Sequence, residues 1–240
     1  MKKIILILAI FIAPLAYTMD GPFVGVFNIK TSNAAGVVEA TDQLVKDCGM
    51  PDGVTATLSA TALNGTDEST HSYLMTYENN AAYVAWNQQI ATCSGWTKYG
   101  ATMSEISEQV AQALMFPLTG GGDPSADNVY VSFFVDVEID GLAKFFNAYE
   151  ELMAENSTNG SCPGSWGLFQ FGPGSVPDEF GTHLAFCGYS DLGTAMAQVQ
   201  ERPPSKAFQK FLRKTYKKAD TKAVTMGCLL YTSPSPRDPT

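Results

Sequence analysis

Apolar positions along the chain fall into two alternating patterns, and both recur in the same order in each half. Val24–Lys30 and Tyr130–Glu138 are rich in β-branched and aromatic residues with a period of two, which predicts strands. A helix is predicted after each. The first is capped by Ser32 or Asn33 and carries Val37, Val38, Thr41, Leu44 and Val45 on one face. The second is capped by Asp140 and carries Leu142, Phe145, Phe146, Tyr149, Leu152 and Met153 at helical spacing. Val54–Leu63 and Trp166–Phe171, each bounded by Gly and Pro, predict second strands, and the strands holding Thr70-His71 and Thr182-His183 come next. Helices starting near Asn79 and Asp191 close each unit, with Tyr83, Val84, Trp86 and Ile90 in one and Leu192, Met196 and Val199 in the other. Ser104–Phe116 and Ala223–Met226 fit neither period cleanly.

The recurrence extends to residues. Thr70–Tyr77 lies over Thr182–Tyr189 without a gap, Trp96 falls on Phe208, and Tyr99 falls on Phe211. Upstream, Val26–Lys30 matches Phe134–Glu138 and Leu44 matches Leu152. This predicts two βαββα repeats, residues 19–116 and 128–227, joined by a Gly- and Pro-rich linker over 117–127. The fold class is α+β. Each repeat is ferredoxin-like, with helices on one face of an antiparallel sheet, so the other face of each sheet needs a cover. Two repeats in one chain can cover each other and form a pseudo-dimeric α+β barrel.

Both ends of the chain modify this picture. Lys2-Lys3 followed by an unbroken apolar run, Ile4–Ala13, describes a signal peptide over residues 1–18. The run is shorter than the roughly 20 residues a spanning helix needs, so no stable membrane insertion is expected after cleavage. At the other end, Cys228–Asp238 resembles the translation of a common transposase sequencing adapter, and residues 228–240 are read as artefact. Without Lys2, Lys3, Arg237 and Asp238, twelve basic residues stand against twenty-three acidic ones, a net charge of −11. Such a surface argues against nucleic acid as a partner. A chain whose repeats pair internally is expected to be a monomer. The predicted location is periplasmic or secreted.

Removing Cys228 leaves Cys48, Cys93, Cys162 and Cys187, an even set with three possible pairings. Folding the hairpin across Gly172–Gly181 brings Cys187 opposite Trp166-Gly167, a few residues from Cys162. That favours Cys162–Cys187, and Cys48–Cys93 follows by elimination.

The run from Tyr73 to Trp86 (Tyr73, Tyr77-Glu78-Asn79, Ala81-Ala82-Tyr83, Trp86), with the strand–helix opening Val26–Leu44, resembles the dimeric α+β-barrel superfamily as a tandem duplication. That group includes antibiotic-biosynthesis monooxygenases and NIPSNAP-like proteins. The resemblance implies a fold and leaves function open, because members range from cofactor-free oxygenases to haem-degrading enzymes.

The candidate chemistry is sparse. On the third strands His71, Tyr73, Met75 and Tyr77 form one row, with His183, Ala185, Cys187 and Tyr189 as its counterpart. Leu74, Leu184 and Phe186 point the other way and suit burial under helices. On the first strands Asn28, Lys30, Asp136 and Glu138 alternate with apolar residues. If the polar rows face the barrel interior, Asn28, His71, Tyr73, Tyr77, Asp136, His183 and Tyr189 line one small-ligand site. The plainer alternative is that each histidine, following a Thr at a hairpin exit, caps a turn. Two histidines with scattered acids are too few for zinc, and no metal or cofactor is proposed. Gly164-Ser165-Trp166-Gly167 lacks the spacing of a nucleophile elbow, and Gly120-Gly121-Gly122 lacks the Lys-Ser/Thr of a phosphate loop. The basic stretch from Lys206 to Lys222 reads as a solvated helix face. The function expected is the binding of a small, partly apolar ligand, with a monooxygenase-type enzyme or a structural, partner-binding module as alternatives.

Overall fold

The computed structural model describes residues 21–65, 67–175, 180–200 and 204–233. The predicted signal peptide therefore lies outside the described residues, as do positions 234–240. Within them each half runs through the same order. The first has β1 (Phe23–Lys30), α1 (Ala34–Cys48), β2 (Val54–Leu63), β3 (His71–Tyr77), α2 (Asn80–Thr92), α3 (Ser94–Ile106) and β4 (Glu108–Gly121). The second has β5 (Val129–Val137), α4 (Leu142–Asn159), β6 (Trp166–Ser175), β7 (His183–Tyr189), α5 (Leu192–Gln200), α6 (Lys206–Thr215) and β8 (Ala219–Ser233). Each unit is thus longer than βαββα by a helix and a strand, in the regions where the hydrophobic period was unclear.

The added strands close the sheet. The order is β1-β3-β2-β8-β5-β7-β6-β4 in a closed antiparallel barrel. β4 pairs with β1 of its own half and β6 of the other, and β8 pairs with β5 and β2. The segment expected as a linker from residue 117 is strand as far as Gly121, and the connection is shorter, through the 3-10 turn Pro124–Ala126. Pro117 cannot donate to a ladder, and the β4–β6 register shifts there, between Pro117 and Thr119. Gly174, with φ 146°, lets β6 approach the Gln112–Ala113 backbone, which a Cβ would strike. On the opposite seam Cys228–Ser233 continue β8 along β2, and Tyr231 packs on the first core and donates its hydroxyl to the Asp42 carboxylate.

The helices lie outside the barrel, and the two hydrophobic cores sit between them and the sheet. Asn33 caps α1 by accepting from the Gly36 amide at 3.0 Å, and Asn79 caps α2 through the Ala82 amide at 2.9 Å. Asp140 does not cap α4. It sits in the 3-10 turn Ile139–Gly141, where Lys218 reaches it and Glu138. In one core Val37, Leu44, Val54, Leu58, Tyr73 and Trp86 are buried; in the other Phe145, Tyr149, Leu152, Leu168 and Ala195 are. Lys210 and Lys214 of the basic stretch reach Glu151, and Lys222 reaches Asp220, all in water.

Both disulfides expected from the sequence form, each with Cα atoms 5.7 Å apart. Cys162–Cys187 follows from the hairpin register, which sets Trp166 opposite Cys187. Cys48–Cys93 forms because Cys93 lies at the turn between α2 and α3, and α3 returns along α1. Near the first bridge the buried Asp127 carboxylate accepts from the amide and hydroxyl of Ser165. It is walled by Gly164 and Gly188, where any Cβ would collide with it.

Non-reducing peptide mapping is expected to recover Cys48–Cys93 and Cys162–Cys187. Replacing Cys162 and Cys187 with Ser should lower stability by about 2–4 kcal/mol, read from denaturant midpoints. A Cys48–Cys162 peptide would overturn this arrangement of the halves.

Candidate functional site

Strand register decides which side chains meet. Directly opposed residues of an antiparallel pair share a face, and β1 pairs with β3 so that Phe27 faces Tyr73, Asn28 faces Ser72 and Ile29 faces His71. The row His71, Tyr73, Met75, Tyr77 therefore shares a face with Phe27 and Ile29, under the helices. Asn28 lies on the other face, inside the barrel, with Leu74, Leu184 and Phe186. The structure thus separates residues that the sequence reading grouped and corrects both face assignments. Tyr189 is buried in the second core and donates to the Ser161 carbonyl at 3.2 Å, and Asp136 is exposed at the rim. Alternation fixes faces within a strand but not between strands, which is why the grouping failed.

The two histidines occupy matching stitches. The Thr70 amide donates to the Ile29 carbonyl, and its hydroxyl accepts from the Thr31 amide. Thr182 makes the same two bonds to Val135 and Val137. Each Thr hydroxyl also contacts the Nδ1 of the following histidine, at 2.9 and 2.7 Å. This is the turn-capping alternative. His183 is 3% exposed, and its Nε2 is buried with no hydrogen-bond partner among the described residues. Burial pushes its pKa down, against the opposing pull of Asp136, and burial lowers that of His71 as well. Among the described residues no three His, Cys, Asp or Glu side chains converge as metal ligands.

The tyrosines meet elsewhere. A cleft of about 1040 Å³ opens between the outer face of β1, β3 and β4 and helices α2 and α3. Its apolar wall includes Phe27, Ile29, Met75, Trp86, Trp96 and Met103. Its polar groups include the four phenols of Tyr73, Tyr77, Tyr83 and Tyr99, beside Asn87, Ser104, Ser107, Glu108, Gln109 and Gln112. Tyr77 packs edge-on against Tyr83 at 5.0 Å, and Trp96 stacks on Tyr99 at 5.5 Å. The Tyr73 and Tyr99 phenols lie close to one another and to the buried Thr41, whose own hydroxyl donates to the Val37 carbonyl. Burial pushes the pKa values of Tyr73, Tyr77 and Tyr99 up, so these phenols stay neutral donors at any physiological pH. The hydroxyls of Tyr77 and Tyr83 make no hydrogen bond with a described residue. Among the described residues, Glu108 is the one carboxylate in the lining, and no Lys, Arg or His lines it.

Tyr73 reaches Thr41 because the corresponding bulk is distributed differently in the two halves. α4 carries Phe145 and Tyr149 where α1 carries Val37 and Thr41, and all four are buried. Tyr149 donates its hydroxyl to the Gly167 carbonyl and packs edge-on against Trp166. On the strands the sizes reverse, with Tyr73 in β3 where β7 has Ala185. The offset between the halves carried this signal, but on the first helices equivalence was traced only at Leu44 and Leu152.

No family model matches the chain, and no curated protein matches it. Solved structures do match. A provisionally named monooxygenase from Fusobacterium nucleatum aligns with 17% identity over 90% of this chain and 94% of its own, at a TM-score of 0.62. An anthrone oxidase-like protein aligns with 10% identity over 88% and 91%, also at 0.62. A provisionally named monooxygenase from Lactobacillus acidophilus aligns with 13% identity over 88% and 94%, at 0.57. The shared feature is the fold, an α+β barrel of ferredoxin-like units.

A buried histidine with a lowered pKa binds fewer protons folded than unfolded, so stability is full above about pH 6.5 and is lost as the pH falls toward the folded value. The paired carboxylates, with pKa values already low, contribute at lower pH. Melting temperature is therefore expected to fall between pH 6.5 and 5.5 in the native protein and to fall less steeply in His183→Phe, which keeps His71. An unchanged slope in the variant would show that the partnerless Nε2 is not its cause.

Proposed function

We propose that the chain binds a small, uncharged, partly apolar ligand in the cleft between the first half-sheet and helices α2 and α3. The observation that supports this is the set of neutral phenols beside an apolar wall in a space of about 1040 Å³. Drug-sized ligands occupy pockets of roughly 300–1,000 Å³, lined by aromatic residues with a few polar groups that fix orientation. The phenols can donate to ring carbonyls or hydroxyls of a planar ligand, while Trp86 and Trp96 can stack on its faces. The lack of a cation among the described lining residues disfavours an anion. Two disulfides fit an oxidising compartment, in line with the export that the N-terminus predicts.

A monooxygenase reading has support from the names of the neighbouring folds. In the simplest such reaction anthrone and O2 give anthraquinone and water, which requires a group to take a proton from the substrate carbon. Glu108 is the lining carboxylate within that cleft, and it stands at the edge beside Gln109. Binding is therefore the primary reading.

The tryptophans make the test direct. Adding 1,8-dihydroxyanthraquinone should quench Trp86 and Trp96 fluorescence saturably. Tyr73→Phe with Tyr99→Phe should weaken binding by about tenfold, as the loss of neutral hydrogen bonds worth about 0.5–1.5 kcal/mol each implies. Quenching that never saturates would remove the ligand proposal and leave a structural or partner-binding module. Conversion of anthrone to anthraquinone above the rate in buffer, lost in the double variant, would replace binding with catalysis.

A further inference from the structure

The inside of the barrel holds a second cavity, of about 220 Å³, separated from the cleft by the sheet itself. Its chemistry is divided. Phe134 stacks on Phe180 at 4.3 Å and lies parallel to Phe171 at 6.2 Å, and Phe169 stacks on Phe186 at 5.9 Å, giving an aromatic wall. Facing it are Asn28, Ser59, Ser72 and Asp67.

Asn28 is 94% buried, being 6% exposed, and its side chain is only half satisfied. Its Oδ1 accepts from the Ser72 hydroxyl at 2.9 Å, which orients the amide and leaves both Nδ2 hydrogens without a protein acceptor among the described residues. The buried Ser59 hydroxyl likewise has no protein partner among the described residues. Both groups open onto the cavity and not onto packed protein, and polar groups there are normally met by water or a ligand. Asp67, by contrast, is already engaged by the amide and hydroxyl of Ser69, and no cation lines the cavity among the described residues.

We propose that the barrel interior is a second binding site, for a single aromatic ring bearing a neutral carboxamide or similar carbonyl, with Asn28 Nδ2 donating to the carbonyl oxygen. Size sets the ring count. An apolar cavity of about 150 Å³ takes one benzene, so 220 Å³ takes one ring and one substituent. Charge sets the substituent. A carboxylate would face Asp67 with no counter-ion, whereas a carboxamide satisfies Asn28 and can donate to Ser59. The stacked phenylalanines receive the ring.

The test uses the full oxidised chain and 19F line broadening with three probes: 4-fluorobenzamide, 4-fluorobenzoate and 4-fluorotoluene. The expected result is saturable binding of the benzamide, about tenfold tighter than either other probe, and not displaced when 1,8-dihydroxyanthraquinone saturates the cleft. Asn28→Leu, with a native circular dichroism spectrum, should lose about tenfold. Should that variant not fold, Ser132→Leu, which fills the cavity from β5, should lose binding equally. Unsaturable broadening with all three probes, as a merely water-filled cavity would give, overturns the proposal. So does benzoate binding more tightly, an unchanged affinity in Asn28→Leu, or displacement by the anthraquinone. A failure of the cleft reading shows in tryptophan quenching alone, so the two are told apart.

Discussion

Closure of the sheet rests on edge pairing between the halves, β4 with β6 and β8 with β2, and the other features follow from it. In each half the natural order places the fourth strand beside the first, which leaves that strand and the second as free edges. A free edge exposes a row of unpaired amides and carbonyls and invites association with other chains. Here β4 takes β6 and β8 takes β2, so both pairs of edges meet and none remains. The connection between the halves need only be short, because β4 carries the chain across the seam before Gly122 turns it.

Closure also gives the sheet two faces with different surroundings. The outer face is covered by helices that can stand off from it, and between β1, β3, β4 and the α2–α3 pair they leave a wide cleft. The inner face meets only itself across the barrel, so the space there is small and set by side-chain volume. One strand serves both. In β3, Tyr73 and Met75 face the cleft while Ser72 and Leu74 face the interior. A change of register by one residue would interchange the two linings.

How far the sequence disclosed this depends on the kind of information needed. Elements with a clear period, such as Val24–Lys30 and the helix through Val37, Thr41 and Leu44, were readable. So was the Cys162–Cys187 bridge, since one hairpin fixes its register. The fourth strands were not, because β4 opens on Glu108 and Gln109 and ends among Pro117, Gly120 and Gly121, which locally signal a loop. Long-range pairing with β6 makes it strand in spite of that composition. The site was half legible. Tyr73 and Asn28 were both singled out, but assigning them to a common wall needed the β1–β3 register, and no local pattern contains it. The cleft itself depends on where α2 and α3 stand relative to the sheet, a tertiary property with no sequence period.

The tyrosine that appears on a strand in one half and on a helix in the other has a consequence for what the molecule can become. In an assembly of two identical chains, any substitution that opens a cleft does so twice, and its destabilising cost is doubled. Carrying both halves on one chain removes that coupling. Phe145, Tyr149 and Trp166 can bear the mechanical duty of a solid core, while Tyr73 and Tyr99 stay free to be tuned to a guest. Mutational tolerance should therefore be lopsided, with the first half accepting changes that alter affinity and the second punishing changes that alter folding.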